Sequence, residues 1–241
     1  NSRGVVSSGS DGIFNLGSGA ASVISVGDIT SGWSKGIYTE STSGAASIDS
    51  TGAITSADTG LFSLGSTSSS VTSVGDIASE WGRGIFSQAG SGAASVNSKG
   101  AITSGEDGIY NLGSTATVTS DGAISSAWGR GIFNQATSGL ASVNSKGVIT
   151  SAGDGIYNLG ATSSVVSVGD IIIADSGSGK WGRGIFSQAN SGAASVVSTG
   201  DIVAVGYGIF NQAAAGYLAS VTSTGDITAT DWGAAGIFNA G

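Results

Sequence analysis

The sequence predicts an all-β fold, a single-stranded parallel β-helix (β-solenoid), from two repeated motifs and one missing residue type. A glycine followed by Ile or Leu and then by Phe or Tyr recurs ten times, and most copies lie 24 residues apart. Between these copies the motif V-x-S-x-G-x-I occurs nine times, and its Ile always lies six residues after its first position. The chain contains no Pro. Because self-similarity at a fixed period is the signature of a solenoid, we expect about ten coils of about 24 residues.

The V-x-S-x-G-x-I motif predicts paired strands, since its length never varies while the segments around it do. Insertions are tolerated at turns and not within paired strands. In Ala21–Ile29, every second residue is small or apolar, and this face changes little between copies, so we expect it to be buried. The nine copies are Val23–Ile29, Ile48–Ile54, Val71–Ile77, Val96–Ile102, Val118–Ile124, Val143–Ile149, Val165–Ile171, Val196–Ile202 and Val221–Ile227.

The abundance of Gly and the lack of Pro fit the same fold. In a solenoid nearly every strand N–H bonds a neighbouring coil, and Pro has no N–H to donate. The 43 Gly suit corners where backbones approach closely, whereas they would weaken a helix. We therefore expect one continuous solenoid over residues 1–241, right-handed as parallel crossovers generally are.

Alternate coils differ, so the repeating unit is two coils, or about 48 residues. One type of coil carries D-G-I-[FY]-N-L-G, as in Asp107–Gly113. The other carries W-[GS]-[RK]-G-I-[FY], as in Trp128–Phe133. Stacking of these coils predicts three columns of surface residues.

The first column is charged and lies two residues before the repeated Ile. Acidic and basic residues alternate along it from the fourth coil to the eighth, which would penalise a slip of the register by one coil. The alternative is a solvated edge whose ion pairs contribute about 0–1 kcal/mol each. Its charged members are Lys35, Arg83, Asp107, Arg130, Asp154 and Arg183.

The second column is aromatic and follows the repeated Ile directly. Strand alternation sends the two residues to opposite faces, and we expect Ile inward and the ring outward, covered in part by the neighbouring turn. An exposed apolar stripe of this length would mark an interface. The alternative is a column buried beneath the turns. Its members are Phe14, Tyr38, Phe62, Phe86, Tyr110, Phe133, Tyr157, Phe186, Phe210 and Phe238.

The third column contains one Trp in every second coil, next to a basic residue in four of the five cases. Such a Trp could stack on sugar rings or form a cation–π contact with Arg. The alternative is a Trp that closes one end of the core. The five residues are Trp33, Trp81, Trp128, Trp181 and Trp232.

The composition excludes several classes of protein. Without Cys and His there is no zinc finger, no disulfide framework, no thiol nucleophile and no imidazole base. The formal net charge of −8 argues against nucleic-acid partners, and no apolar run is long enough for membrane insertion of this segment. Asp107 and Asp154 lie two coils apart, about 9–10 Å, which is too far to share one cation. We therefore predict no catalytic residues, no metal and no cofactor.

The alternation of A-S-V-x-S-x-G-[DA]-I-[TS] with G-I-[FY]-[NS]-[LQ], as in Ala94–Ser104 and Gly131–Gln135, resembles the passenger repeats of bacterial autotransporter adhesins and related secreted β-helix surface proteins. The resemblance covers essentially the whole chain. It implies export across the outer membrane and a location on the bacterial cell surface or outside the cell. The chain is then expected to be a fragment, or an uncapped subunit, of a longer assembly.

Two functions follow as expectations. The first is a non-enzymatic structural or adhesive rod, such as a passenger stalk or a subunit of a surface fibre. Its partners would be other copies, associated end to end or laterally, or glycans and proteins of host or environmental surfaces. The second is a carbohydrate-binding or polysaccharide-cleaving β-helix that uses Trp81, Trp128, Trp181 and the loop Ile172–Lys180.

Overall fold

The computed structural model describes residues 1–174, 182–231 and 233–241, which form three parallel sheets of ten strands each. Each coil contributes one strand to each sheet, so strands three apart in the chain are hydrogen-bonded neighbours. The predicted β-solenoid of about ten coils is confirmed.

Sheet A contains the strands that begin each coil. They are β1 (Ser2–Arg3), β4 (Ala21–Val26), β7 (Ala46–Ser50), β10 (Ser69–Ser73), β13 (Ala94–Ser98), β16 (Ala116–Ser120), β19 (Leu140–Ser145), β22 (Thr162–Val168), β25 (Ala194–Thr199) and β28 (Ala219–Thr224).

Sheet B contains the short strands that follow. They are β2 (Val6–Ser8), β5 (Ile29–Ser31), β8 (Ile54–Ser56), β11 (Ile77–Ser79), β14 (Ile102–Ser104), β17 (Ile124–Ser126), β20 (Ile149–Ser151), β23 (Ile171–Ile173), β26 (Ile202–Ala204) and β29 (Ile227–Ala229).

Sheet C contains the strands of the G-[IL]-[FY] motif. They are β3 (Ile13–Gly17), β6 (Ile37–Ser41), β9 (Leu61–Gly65), β12 (Ile85–Ala89), β15 (Ile109–Gly113), β18 (Ile132–Ala136), β21 (Ile156–Gly160), β24 (Ile185–Ala189), β27 (Ile209–Gln212) and β30 (Ile237–Ala240).

The register places equivalent residues of successive coils beside one another. Ile85 pairs with Leu61 on one side and with Ile109 on the other. Sheets A and B are aligned in the same way, for example Val96 with Val118 and Ile102 with Ile124. The aliphatic residues at the repeated inward positions of all three sheets form one hydrophobic cluster along the solenoid.

The V-x-S-x-G-x-I motif forms parts of two strands, one in sheet A and one in sheet B, which are joined at its Gly. Gly27 has a φ of 122°, and a Cβ there would lie 2.6 Å from the carbonyl oxygen of Gly4 in the preceding coil. The Gly before the repeated Ile is required by close packing alone. At Gly108, a Cβ would lie 2.3 Å from Ile124 Cγ2 and 2.6 Å from the oxygen of Gly131. Both glycines are required because neighbouring coils approach too closely for a side chain.

The interior also holds polar columns. Asn111 Nδ2 donates to Asn134 Oδ1, and Asn134 Nδ2 donates to Asn158 Oδ1, each at 2.8 Å. These fully buried amides also donate to backbone carbonyls, for example Asn134 to Ala116 at 3.0 Å. The inward Ser column of sheet A differs. Its buried hydroxyls mostly lack a hydrogen-bond partner among the described residues. The Ser side chains therefore suit these inward positions through their small size.

Candidate functional site

The corner between sheets B and C, here the BC corner, carries the charged column and the Trp series. It comprises the segments that join each sheet B strand to the next sheet C strand, such as residues 80–84 and 127–131. Hydrogen bonds between coils hold it in place. The N–H of Trp81 donates to the oxygen of Ala57 at 2.9 Å, and the N–H of Trp128 donates to that of Gly105 at 2.8 Å. The corner side chains are therefore presented at fixed intervals along the solenoid.

The aromatic column lies on the outer face of sheet C and forms one continuous ring stack. Neighbouring rings have centroids 4.5–5.2 Å apart and interplanar angles of 5–17°. The outward direction of the rings is confirmed, since the Ile or Leu before each ring from Tyr38 to Phe210 is buried. The rings are not exposed to the same degree along the column. Phe14 is 59% exposed in the first coil, but Phe133 is only 8% exposed in the sixth.

Basic residues of the charged column cover the rings. The guanidinium carbon of Arg130 lies 4.7 Å from the centroid of Phe133 and 4.9 Å from that of Tyr157. The corresponding distance from Arg183 to Phe186 is 4.0 Å. These cation–π contacts explain why the central rings are shielded from water. The basic residues thus stack on the aromatic column.

The acidic residues of the column join neighbouring coils. Arg183 forms two hydrogen bonds with Asp154, from Nε to Oδ1 and from Nη2 to Oδ2, each 2.9 Å long. Asp154 Oδ1 also accepts the backbone N–H of Arg183 at 2.9 Å, and Asp107 accepts that of Arg130 at 2.8 Å. The side chain of Asp154 is only 9% exposed, so at this point the column is not a solvated edge.

The other two Arg residues of the column form longer ion pairs. Arg83 Nε lies 3.5 Å from Asp107 Oδ2, and Arg130 Nε lies 4.0 Å from Asp154 Oδ2. Lys35 Nζ pairs instead with Asp58 at 3.0 Å, one residue away from the predicted column. The column is therefore a chain of ion pairs whose tightest member is in the eighth coil.

One aromatic residue of the column is electrostatically distinct. Burial, followed by a hydrogen bond from its hydroxyl to Glu40, raises the pKa of Tyr38 to about 12. A neutral phenol is favoured because Glu40 and Asp11 are negative charges nearby. Tyr38 therefore keeps its proton through the ordinary pH range and donates to Glu40.

Three members of the Trp series, Trp33, Trp81 and Trp128, project from the BC corner. Trp33, Trp81 and Trp128 are 86%, 66% and 64% exposed, so the interpretation that they close an end of the core is wrong for these three. The physical reason is that the corner backbone already lies outside the closed aliphatic core. Trp181 and Trp232 lie outside the described residues, as does the 175–180 part of the loop Ile172–Lys180.

Two open depressions border the Trp series. A cleft of about 740 Å³, here the Trp33–Trp81 cleft, is lined by both Trp side chains and by Asp58 and Glu80. Sequence reasoning missed these two acids because Asp58 and Glu80 stand one and three positions before the charged column. A second groove, of about 510 Å³, is lined mainly by residues already described: Arg83, Asp107, Tyr110, Trp128, Arg130, Asp154 and Arg183.

Comparison with protein-family models, with curated proteins and with solved structures found no match to the chain. Among the residues that the structure describes, no three Asp, Glu, His or Cys side chains are grouped so that they could hold a metal ion. The same residues include no helix with the length and hydropathy that crossing a membrane requires.

Proposed function

We propose that the chain is a non-enzymatic structural and adhesive rod that acts outside the cell or on the bacterial cell surface, as a passenger stalk or a subunit of a surface fibre. The observation that carries the proposal is the unbroken stack of ten aromatic rings on ten coils in register. Nine strand spacings of about 4.8 Å separate the first coil from the last, so the stack is about 43 Å long. Such a solenoid offers length, stiffness and a repeated surface.

The use of the charged groups supports this function. Asp107, Asp154 and Arg183 bind groups of neighbouring coils, including backbone N–H groups. Charges that are engaged in holding coils together serve the stability of the solenoid. The resemblance of the repeats to autotransporter passengers supports the proposed location and the proposed partners, which are further copies of the chain or glycans and proteins of other surfaces.

The alternative function is a β-helix that binds or cleaves polysaccharides. Exposed Trp side chains and the Trp33–Trp81 cleft favour the binding half of this alternative. Binding of a polysaccharide is compatible with an adhesive rod, whereas cleavage is not.

The two functions can be separated in one preparation. Beads that carry the chain by one terminus are passed over surfaces coated with neutral polysaccharides, acidic polysaccharides or matrix proteins, and the formation of new sugar ends is measured in solution. We expect retention of the beads on at least one surface and no release of sugar ends. Release that continues in proportion to protein and time would contradict a non-enzymatic function. Retention no greater than that of bare beads on every surface would contradict the adhesive function.

A further inference from the structure

The Trp33–Trp81 cleft combines exposed aromatic faces with polar groups. Trp33 and Trp81 both line it and are mostly exposed, and exposed large apolar groups of this kind mark interaction surfaces. Asp58 and Glu80 line the same cleft. A pyranose sugar has the complementary character, since its faces present C–H groups and its edges present hydroxyls. Trp suits such a ligand because its ring is both large and amphipathic.

The spacing of the two Trp residues restricts the shape of the ligand. They belong to coils two apart, so about 9–10 Å separates equivalent points. Ring stacking on the same three coils has the same pitch, with centroids 4.9 Å and 4.5 Å apart from Tyr38 to Phe62 and from Phe62 to Phe86. A disaccharide of an extended β-1,4-linked chain has nearly this length. In such a chain every second ring turns the same face to one side, so both Trp residues would meet equivalent faces.

The charges of the cleft restrict the ligand further. Asp58 and Glu80 are both carboxylates, and Lys35 compensates the charge of Asp58 at 3.0 Å, so Glu80 supplies the net negative charge of the cleft. Carboxylates accept hydrogen bonds from hydroxyl groups and repel anions. The protein also has a formal net charge of −8. An uncharged polysaccharide is therefore favoured over an acidic one.

The neighbouring surface of sheet B extends the polar floor of the cleft. A shallow groove lined by Thr55 and Thr103 shares Gly32, Ala57 and Glu80 with the cleft. Threonine hydroxyls both donate and accept hydrogen bonds, which suits the hydroxyl edges of a sugar chain.

We propose that the Trp33–Trp81 cleft binds an extended, uncharged β-1,4-linked polysaccharide, with one disaccharide spanning the distance from Trp33 to Trp81. Trp33 and Trp81 stack on alternate sugar rings, and Asp58 and Glu80 accept hydrogen bonds from hydroxyls between them. This proposal specifies which class of ligand the adhesive rod would bind. It rests on the proposed adhesive function only for its biological purpose. The rod itself does not depend on it.

Titration calorimetry with β-1,4-linked glucose oligomers, from the disaccharide to the hexasaccharide, tests the proposal on the full chain. We expect saturable binding that strengthens up to the length that reaches both Trp residues. The variants Trp33→Ala and Trp81→Ala should each weaken tetrasaccharide binding about tenfold or more, as truncation of a central aromatic contact generally does. Trp128→Ala removes an equally exposed Trp of the same corner outside the cleft, and it should leave tetrasaccharide binding unchanged.

A second set of titrations uses acidic oligomers of the same length. Uronic acid oligomers should bind more weakly than glucose oligomers, and the double variant Asp58→Asn, Glu80→Gln should reduce that difference. The proposal is overturned if no glucose oligomer binds saturably, if acidic oligomers bind more tightly, or if Trp128→Ala weakens binding as much as Trp81→Ala. Circular dichroism of each variant separates these outcomes from loss of fold. Bead retention on other surfaces would show that the adhesive function survives without this ligand.

Discussion

Two sets of aromatic residues project outward from the same solenoid, and their surroundings differ. Phe133 of the ring column is 8% exposed, stacks on Tyr110 at 4.6 Å and is covered by Arg130 at 4.7 Å. Trp81 of the Trp series is 66% exposed at the mouth of a cleft. Both sets recur along the chain with equal regularity. Recurrence alone therefore does not distinguish a residue that holds the coils together from one that is available to a ligand.

The period of each set explains the difference. The ring column has one member per coil, and the strand spacing of about 4.8 Å lies within the range of stacked aromatic pairs. Trp33, Trp81 and Trp128 lie two coils apart, about 9–10 Å, so their rings cannot stack on one another. A residue repeated once per coil can be satisfied by its own copies, whereas one repeated in alternate coils must find another partner.

The largest effect is expected where the ring column is broken at its centre. Phe133→Ala removes a ring that is stacked on both sides and covered by Arg130, so the free energy of unfolding should fall by about 3 kcal/mol. Urea unfolding measures this. Phe14→Ala, at the exposed end of the column, is the matched control and should cost less than about 1 kcal/mol. Equal losses of unfolding free energy in the two variants would mean that burial of a ring does not determine how much it stabilises the solenoid.

A smaller loss in the free energy of unfolding is expected when one of the Arg residues that cover the rings is removed. Arg183→Ala removes two charge-assisted hydrogen bonds to Asp154 and the cation–π contact with Phe186, and it should cost about 1.5 kcal/mol. Arg183→Lys keeps the charge but not the planar fork, so it should restore only part of this loss. Full restoration by Lys would show that charge alone accounts for the contribution, against the geometry described above.

The pKa of Tyr38 gives a separate measure of burial within the ring column, because its hydroxyl can be titrated. Its pKa of about 12 in the folded chain lies above the ordinary value of 10.0. A raised folded pKa contributes stability that is complete below about pH 10 and is lost as the pH rises towards 12. The ultraviolet difference titration of the parent chain against Tyr38→Phe should show the Tyr38 step near pH 12. A step near pH 10 would contradict the burial and the hydrogen bond to Glu40.

The smallest effect on stability is expected in the Trp series. Trp81→Ala truncates a mostly exposed side chain, so the free energy of unfolding should change by no more than about 0.5 kcal/mol. Thermal and urea unfolding measure this change. A loss comparable to that of Phe133→Ala would place Trp81 among the residues that hold the coils together.

The fold was predictable because the repeat carries its own register. The fixed spacing of the motifs aligns Ile85 with Leu61 and Ile109, and no long-range inference beyond stacking is needed. The corner at Gly27 was not predictable in this way, since a motif of constant length is compatible with either one strand or two strands and a rigid turn. Its positive φ appears only in the coordinates.

The candidate site was predictable in part. The outward rings and the ladder of charges follow from strand alternation and spacing. The basic residues, however, stand close to Trp in the sequence, while in the structure Arg130 and Arg183 cover Phe and Tyr rings. The direction of a long side chain at a corner depends on backbone geometry that the repeat does not encode. The same limit hid Asp58 and Glu80, which enter the cleft only through the shape of the turn.

The most direct measurement compares Phe133→Ala and Trp81→Ala in two assays, urea unfolding and binding of β-1,4-linked glucose tetrasaccharide at a temperature where both variants are folded. We expect the ring column to hold the coils together and Trp81 to bind the ligand of the proposed cleft, so the effects should cross. Phe133→Ala should lose stability and keep binding, while Trp81→Ala should keep stability and lose binding. Parallel losses of both properties in either variant would contradict the division of the two aromatic sets.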